Sequence, residues 1–334
     1  MNVQFPVVRA NPWYPGQIGI AGSDNTLGLR ERSTGVVLYV DRGHPAASNA
    51  NDGTNPGGPF LTIQAAVTKL IAMHSISSMV GSVIVIQPGT YTETVTVPFT
   101  GCPASCTILG GGSNMLRPTW TSAAAGADAL TLGATGWEIA NIYFIGPTLA
   151  SCIRVCWLLP VVTYRANLTY IHDCFFDGAY AGIRGIALHG APGDVVIANN
   201  VFKEFHVAAN TARAIAVTST ADACPLECVI VDNIFTENDN HITPINGVGS
   251  FNASFFLRNI FNNGGGLPTF QYIDLRLGGQ GRNVLSGNTF CGDYSNVGGY
   301  FDGAVPSSWV GNFAEDVAEA EVGPSGITIA PPAA

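Results

Sequence analysis

Four carboxylates in this chain recur at matched places, and paired carboxylates are the equipment for cutting a glycosidic bond. Glu204 and Glu237 each follow a phenylalanine by two residues, Phe202 and Phe235. Asp173 and Asp232 each precede one by three, Phe176 and Phe235. A retaining mechanism needs two carboxyls about 5–5.5 Å apart, and an inverting one about 6.5–9.5 Å. On stacked strands with a spacing of ~4.8 Å, neighbouring Glu204 and Glu237 would meet the first requirement. Asp173 and Asp232, two strands apart, would lie near ~10 Å and just miss the second. Arg184 and Arg258 are basic residues that could stand beside such acids, with no recognised motif around either.

Other chemistries have weaker footing. The chain has no G-x-S-x-G, no H-E-x-x-H, no Walker loop and no Rossmann glycine fingerprint. His44, His74, His172, His189, His206 and His241 show no metal-ligand spacing, and His172 and His206, near bends, read as solvated or locally bonded residues. Asp52 lies in ASNANDGTNPGGP (47–59), whose spacing matches a turn-rich loop and not a calcium loop. Eight cysteines include Cys102/Cys106 in CPASC, Cys224/Cys228 in CPLEC, and Cys152/Cys156; Cys174 and Cys291 stand alone. The two Cys-Pro pairs are 228 − 106 = 122 residues, or about four coils, apart, so they cannot share one ion. Buried thiols are the leading expectation, with local disulfides in the Cys-Pro loops as the alternative. Neither a metal nor a cofactor is expected.

What would position the carboxylates is a repeat. VIANNVF (Val196–Phe202), VIVDNIF (Val229–Phe235), FFLRNIF (Phe255–Phe261) and VLSGNTF (Val284–Phe290) say nearly the same thing. YIHDCFF (Tyr170–Phe176) and EIANIYF (Glu138–Phe144) are looser copies. The closing residues 144, 176, 202, 235, 261 and 290 step by 32, 26, 33, 26 and 29. Such a period marks a stacked architecture. An apolar residue five before each Phe (Ile139, Ile171, Ile197, Ile230, Phe256, Leu285) ends one short strand, and the Phe begins the next. Between them stand Asn200, Asn233, Asn259 and Asn288, expected to take the left-handed conformation of a sharp bend and to hydrogen-bond in a ladder. The runs are too short and too β-branched for helices. About eight coils would make a rod of ~40 Å.

Composition points the same way. Only 11% of residues are charged, net charge is −9, and Lys69 and Lys203 are the only lysines. So charge-poor a surface is expected to be covered by other subunits. The acidic balance gives no footprint for nucleic acid or an anionic membrane. Met1–Ala10 lacks a basic start followed by an apolar core, and no apolar run approaches 18 residues. Synthesis in a cytosol, as a soluble protein, is the expectation.

Taken with these repeats, the succession YVD … NDGTNPGGPFLTIQAAV … VIVIQPGTYTETVTV resembles the N-terminal part of right-handed, pectate-lyase-like parallel β-helix proteins, phage-type members among them. The resemblance runs from about Val37 to Phe290. It implies an all-β, right-handed parallel β-helix with an N-terminal capping helix, in which Thr62 starts a helix burying Ile63, Ala66, Val67 and Leu70. It also implies a homotrimer.

The expected organisation is an arm at 1–36, a β-helix at 37–290 with its cap at 37–100, and a C-terminal cap and acidic tail at 291–334. There VAEAEV suggests a short helix and PSGITIAPPAA an extended tail. The family's functions diverge, so two readings follow. One is a virion protein that decorates the capsid surface, with Trp13, Tyr14, Arg30 and Arg32 contacting the major capsid protein, another virion protein or a sister subunit. The other is a tailspike-like glycosidase or lyase acting on host glycans through Glu204, Glu237, Asp173 and Asp232. A tailspike would carry a separate head-binding domain, and 36 residues are too few for one.

Overall fold

The computed structural model describes residues 35–113, 116–156, 166–218, 224–245, 251–262, 271–274, 283–291, 301–302, 308–314, 320–322 and 328–329. Trp13, Tyr14, Arg30 and Arg32 lie outside these. The described chain winds as a right-handed parallel β-helix with three sheets. The first sheet has ten strands, from Val37–Val40 through Val196–Ala198 to Ser308–Val310. The second has eleven, including Phe175–Asp177, Val201–Lys203 and Ile234–Thr236. The third has eight, including Ser151–Cys156, Arg184–His189 and Arg213–Val217. Each coil visits the three in that order, and successive coils pair in parallel.

The register places like residues over like. Ile139, Ile171, Ile197, Ile230, Phe256 and Leu285 form one inward column. Phe144, Phe176, Phe202, Phe235, Phe261 and Phe290 form another. From Phe144 to Phe290 their rings stack with centroids 4.7–5.2 Å apart and planes within 11° of parallel. Trp120 joins the stack on Phe144 at 5.4 Å, and Tyr91 occupies the same column one coil earlier.

The ladder forms as the sequence implies. The Nδ2 of Asn200, Asn233, Asn259 and Asn288 each donates to the Oδ1 of the next, at 3.1, 3.0, 3.0 and 2.8 Å, ending on Asn312. Their bend conformation differs from expectation. The left-handed residue is the one before the ladder asparagine: Asn199 (φ 55°), Asp232 (56°), Arg258 (52°) and Gly287 (65°), with Asp173 (53°) and Asn141 (57°) in the earlier coils. The reason is direction. The ladder side chain must point inward to reach the coils above and below, so the positive φ falls on its neighbour, whose side chain faces out.

The coils continue past Phe290. Ser308–Val310 pairs with Val284–Ser286, and Phe313–Ala314 with Thr289–Cys291. Residues 320–322 of VAEAEV form a strand, not the expected helix; Ala320–Val322 pairs antiparallel with Phe313–Ala314 and with Thr328–Ile329. At the other end, helix Ile63–His74 buries Ile63, Ala66, Val67 and Leu70 against the first coils. The Thr62 hydroxyl accepts from Ala65 N at 3.3 Å. The Glu93 carboxylate accepts from Ile63 N at 2.9 Å and Gln64 N at 3.3 Å, placing an anion at the positive end of the helix.

Candidate functional site

Two corners of the coil carry the titratable groups. At the corner between the first and second sheets, Asp173 and Asp232 hold the same rung position two coils apart, with Asn199 between them. Each is engaged locally. Arg258 grips Asp232 through Nε and Nη2, both at 2.7 Å. Asp173 Oδ2 lies 2.6 Å from His172 Nδ1, and Glu138 Oε1 lies 2.8 Å from His172 Nε2. Glu138 also accepts from Thr107 Oγ1 at 3.0 Å, and the Tyr170 ring stacks on the imidazole at 4.1 Å. With both ring nitrogens engaged by carboxylates, His172 has no free nitrogen to act as a base. Of the two roles the sequence left open for His172 and His206, solvated or bonded, the structure shows the bonded one for both, His206 pairing with buried Asp239.

This clamp has a pH signature. Burial pushes the His172 imidazole down, but its hydrogen bonds to Asp173 and Glu138, and their charges, outweigh that and raise it from 6.5 to about 9. A folded-state value above the unfolded one means that the stabilisation is complete below pH 6.5 and lost as pH rises through about 9. A shift of this size corresponds to roughly 3 kcal/mol. The stability advantage of wild type over His172→Gln is therefore expected to be constant below neutral pH and to vanish near pH ~10. Urea unfolding across that range reads it; a difference that stays flat to pH ~10 rejects the clamp. His241, buried between Phe235 and Phe261, shows the opposite sign. Burial alone lowers it to about 3, so its contribution is present above pH 6.5 and lost as pH falls towards that value.

At the corner between the second and third sheets stand Glu204 and Glu237, both left-handed at φ 59° and 54°. Backbone bonds tie each to the next coil, Glu204 N to Thr236 O and Glu237 N to Asn262 O. Lys203 pairs with Glu204. Tyr180, itself left-handed at φ 55° and 53% exposed, donates its hydroxyl to Glu237 Oε2 at 3.5 Å. Loss of solvation first, and then the charges of Glu204 and Glu237, raise the pKa of that phenol. One coil earlier, Tyr143 hydrogen-bonds Asp177; burial first, then this carboxylate, raises the phenol. So Glu204 and Glu237 stand on neighbouring coils and both act on Tyr180, while Asp173 and Asp232 stand two coils apart with separate partners.

Tyr143, Asp177, Tyr180, Lys203, Glu138 and His172 in its clamp were not singled out as site residues from the sequence. Register alone could have found Asp177 and Lys203, which are rung partners. Nothing in the sequence marks Tyr180, whose loop has no counterpart in the repeat. Of the basic residues, Arg258 joins Asp232, while Arg184 donates to Leu149 O on the third sheet. The eight cysteines form no disulfide; Cys106, Cys152, Cys156, Cys174 and Cys228 are buried. Burial pushes Cys106 and Cys228 up to about 12, which makes them inert fillers. Asp52 accepts from Thr54 N at 3.0 Å within its own turn. Among the described residues no group of three or more His, Cys, Asp or Glu is placed to hold a metal ion, and no helix is long and apolar enough to cross a membrane.

No protein-family model matches the chain, and no curated protein matches it significantly. Solved structures do. A pectin methylesterase from Aspergillus niger is 14% identical over 89% of this chain and 92% of its own, with a TM-score of 0.51. The ORF18 protein of Geobacillus virus E2 is 12% identical over 87% of this chain and 62% of its own, with a TM-score of 0.50. An alginate lyase from Paenibacillus sp. str. FPU-7 is 15% identical over 75% of this chain and 93% of its own, with a TM-score of 0.43. At these identities the likeness is one of fold.

Proposed function

We propose that this chain is a structural protein of a bacterial virus, a homotrimeric β-helix that decorates the capsid surface. The observation that carries the reading is the apolar edge of the rod. Phe255 on the first sheet and Ile234 and Ile260 on the second are 37%, 41% and 42% exposed, and Val310 and Phe313 continue both sides towards the C-terminal end. On a chain with two lysines and 11% charge, such an edge calls for cover. Trimer formation would cover it. The arm at residues 1–36, with Trp13, Tyr14, Arg30 and Arg32, would reach the major capsid protein or another virion protein, since aromatics and arginine dominate interfaces. The shared fold with a viral ORF18 protein supports the viral setting by analogy.

A second reading keeps one observation of its own: Glu204 and Glu237 converge on the exposed Tyr180 hydroxyl, which is the pairing that glycoside hydrolysis or elimination would use. One experiment separates the two. The protein is incubated with neutral and acidic bacterial polysaccharides, and reducing ends and ultraviolet absorbance are followed. The structural reading expects neither to rise above buffer. A rise that drops at least ~100-fold in Glu204→Gln would replace it with the enzymatic one.

A further inference from the structure

We infer that copies of this chain meet through unlike faces: the outer face of the first sheet on one copy packs on the outer face of the second sheet of the next. The rods run parallel and level, about a rotation axis beside the corner that carries Asp232 and Arg258. This rests on the self-association proposed above and specifies its surface.

The argument is one of matching heights. On the first sheet, outward residues run Glu138, Tyr170, Val196, Val229, Phe255 and Val284 in one column. In the other they run Ala140, His172, Ala198, Val231, Leu257 and Ser286. Val196 and Ala198 are already nearly covered by Leu168, Tyr170, Val229 and Val231, so these side chains form a packed apolar layer on the outside of the rod. On the second sheet, the outward column beside the same corner runs Tyr143, Phe175, Val201, Ile234, Ile260, Thr289 and Phe313.

The two faces agree coil by coil. Val196 shares a coil with Val201, Val229 with Ile234, and Phe255 with Ile260. Of the charged groups beside the first face, Glu138, His172 and Asp173 sit on the coils where the second carries Tyr143 and Asp177, while Asp232 and Arg258 neutralise each other at the corner of the apolar coils. An axis parallel to the rod leaves heights unchanged, so the faces must match level by level, and they do. A single contact type then covers both apolar faces of every copy and closes into a ring. Pairing like with like would cover one face and leave the other in water.

Cross-linking tests this. Cys102, Cys224 and Cys291, the partly exposed thiols, are first replaced by serine. Phe255→Cys and Ile260→Cys are then introduced singly and together and treated with a short bismaleimide. Each single variant alone is expected to give no covalent dimer. Co-expressed, the two singles give a dimer, and the double variant gives a closed covalent trimer. A dimer from Phe255→Cys alone means like faces meet and overturns the inference. A trimeric mass without cross-links in any variant overturns it too, while leaving self-association standing. A monomeric mass removes both.

Discussion

Replacing Asn233 with leucine is expected to cost at least about 3 kcal/mol of stability, and as much as ~6 kcal/mol. Its Oδ1 accepts from Asn200 N at 2.9 Å and Asn200 Nδ2 at 3.1 Å. Its Nδ2 donates to Ile197 O at 2.9 Å, Val231 O at 3.0 Å and Asn259 Oδ1 at 3.0 Å. The residue is fully buried, so leucine leaves the Asn200 backbone N–H and one N–H of its side-chain amide, whose other bond goes to Ile171 O, without an acceptor, and takes the side-chain donor from Ile197 O. Each such orphan costs about 1–3 kcal/mol, and no water reaches them. Asn199→Gly, one residue away, is the control. Asn199 is exposed at φ 55°, where glycine is at ease, so little should change. Urea unfolding of the two variants reads the difference. A loss below ~1 kcal/mol for Asn233→Leu would mean that the ladder is incidental to the fold.

The second large effect concerns assembly and not folding. Ile260→Asp places a carboxylate on the apolar edge. In a single chain that side chain is half in water, so the charge stays solvated and the fold should tolerate it. In an assembly whose contact covers this edge the charge is buried without a partner, at several kcal/mol per contact, roughly 3–5. Because a ring repeats the same contact at every interface, dissociation is expected at concentrations where wild type is fully assembled. Circular dichroism should be unchanged while the sedimenting mass falls to one chain. Loss of the dichroism signal at the same concentration would place Ile260 in the folding core instead.

Half of each coil is legible in the sequence because it recurs at fixed spacing. The apolar residue, the ladder asparagine and the phenylalanine are separated by two short strands and one bend with no room for insertion. The third sheet also has a clean inward column, Ile153, Ile186, Ile215, Ile242 and Ile273. Its distances from the preceding phenylalanines are 9, 10, 13, 7 and 12 residues, taking 153 − 144, 186 − 176, 215 − 202, 242 − 235 and 273 − 261. Loops of variable length therefore hide it from any period. The last rung escaped for another reason: SWVGNFA keeps the ladder residue, Asn312, but has Ala314 in place of the phenylalanine.

The carboxylates divide along the same line. Glu204 and Glu237 were readable as neighbours because their offset from the phenylalanine is fixed. Tyr180, which joins them, arrives on a loop two coils from Glu237 in the chain, and its left-handed backbone leaves no mark in the sequence. Likewise, Asp232 was readable as a rung position, but its engagement by Arg258 depends on side-chain direction across a corner.

Sedimentation equilibrium of the isolated wild-type protein, over a hundredfold range of concentration and without any partner, addresses most directly whether this rod is built to be covered by its own copies. A mass three times the 34.8 kDa of one chain is expected, falling to one chain in Ile260→Asp. A wild-type mass of a single chain throughout the range would contradict the account.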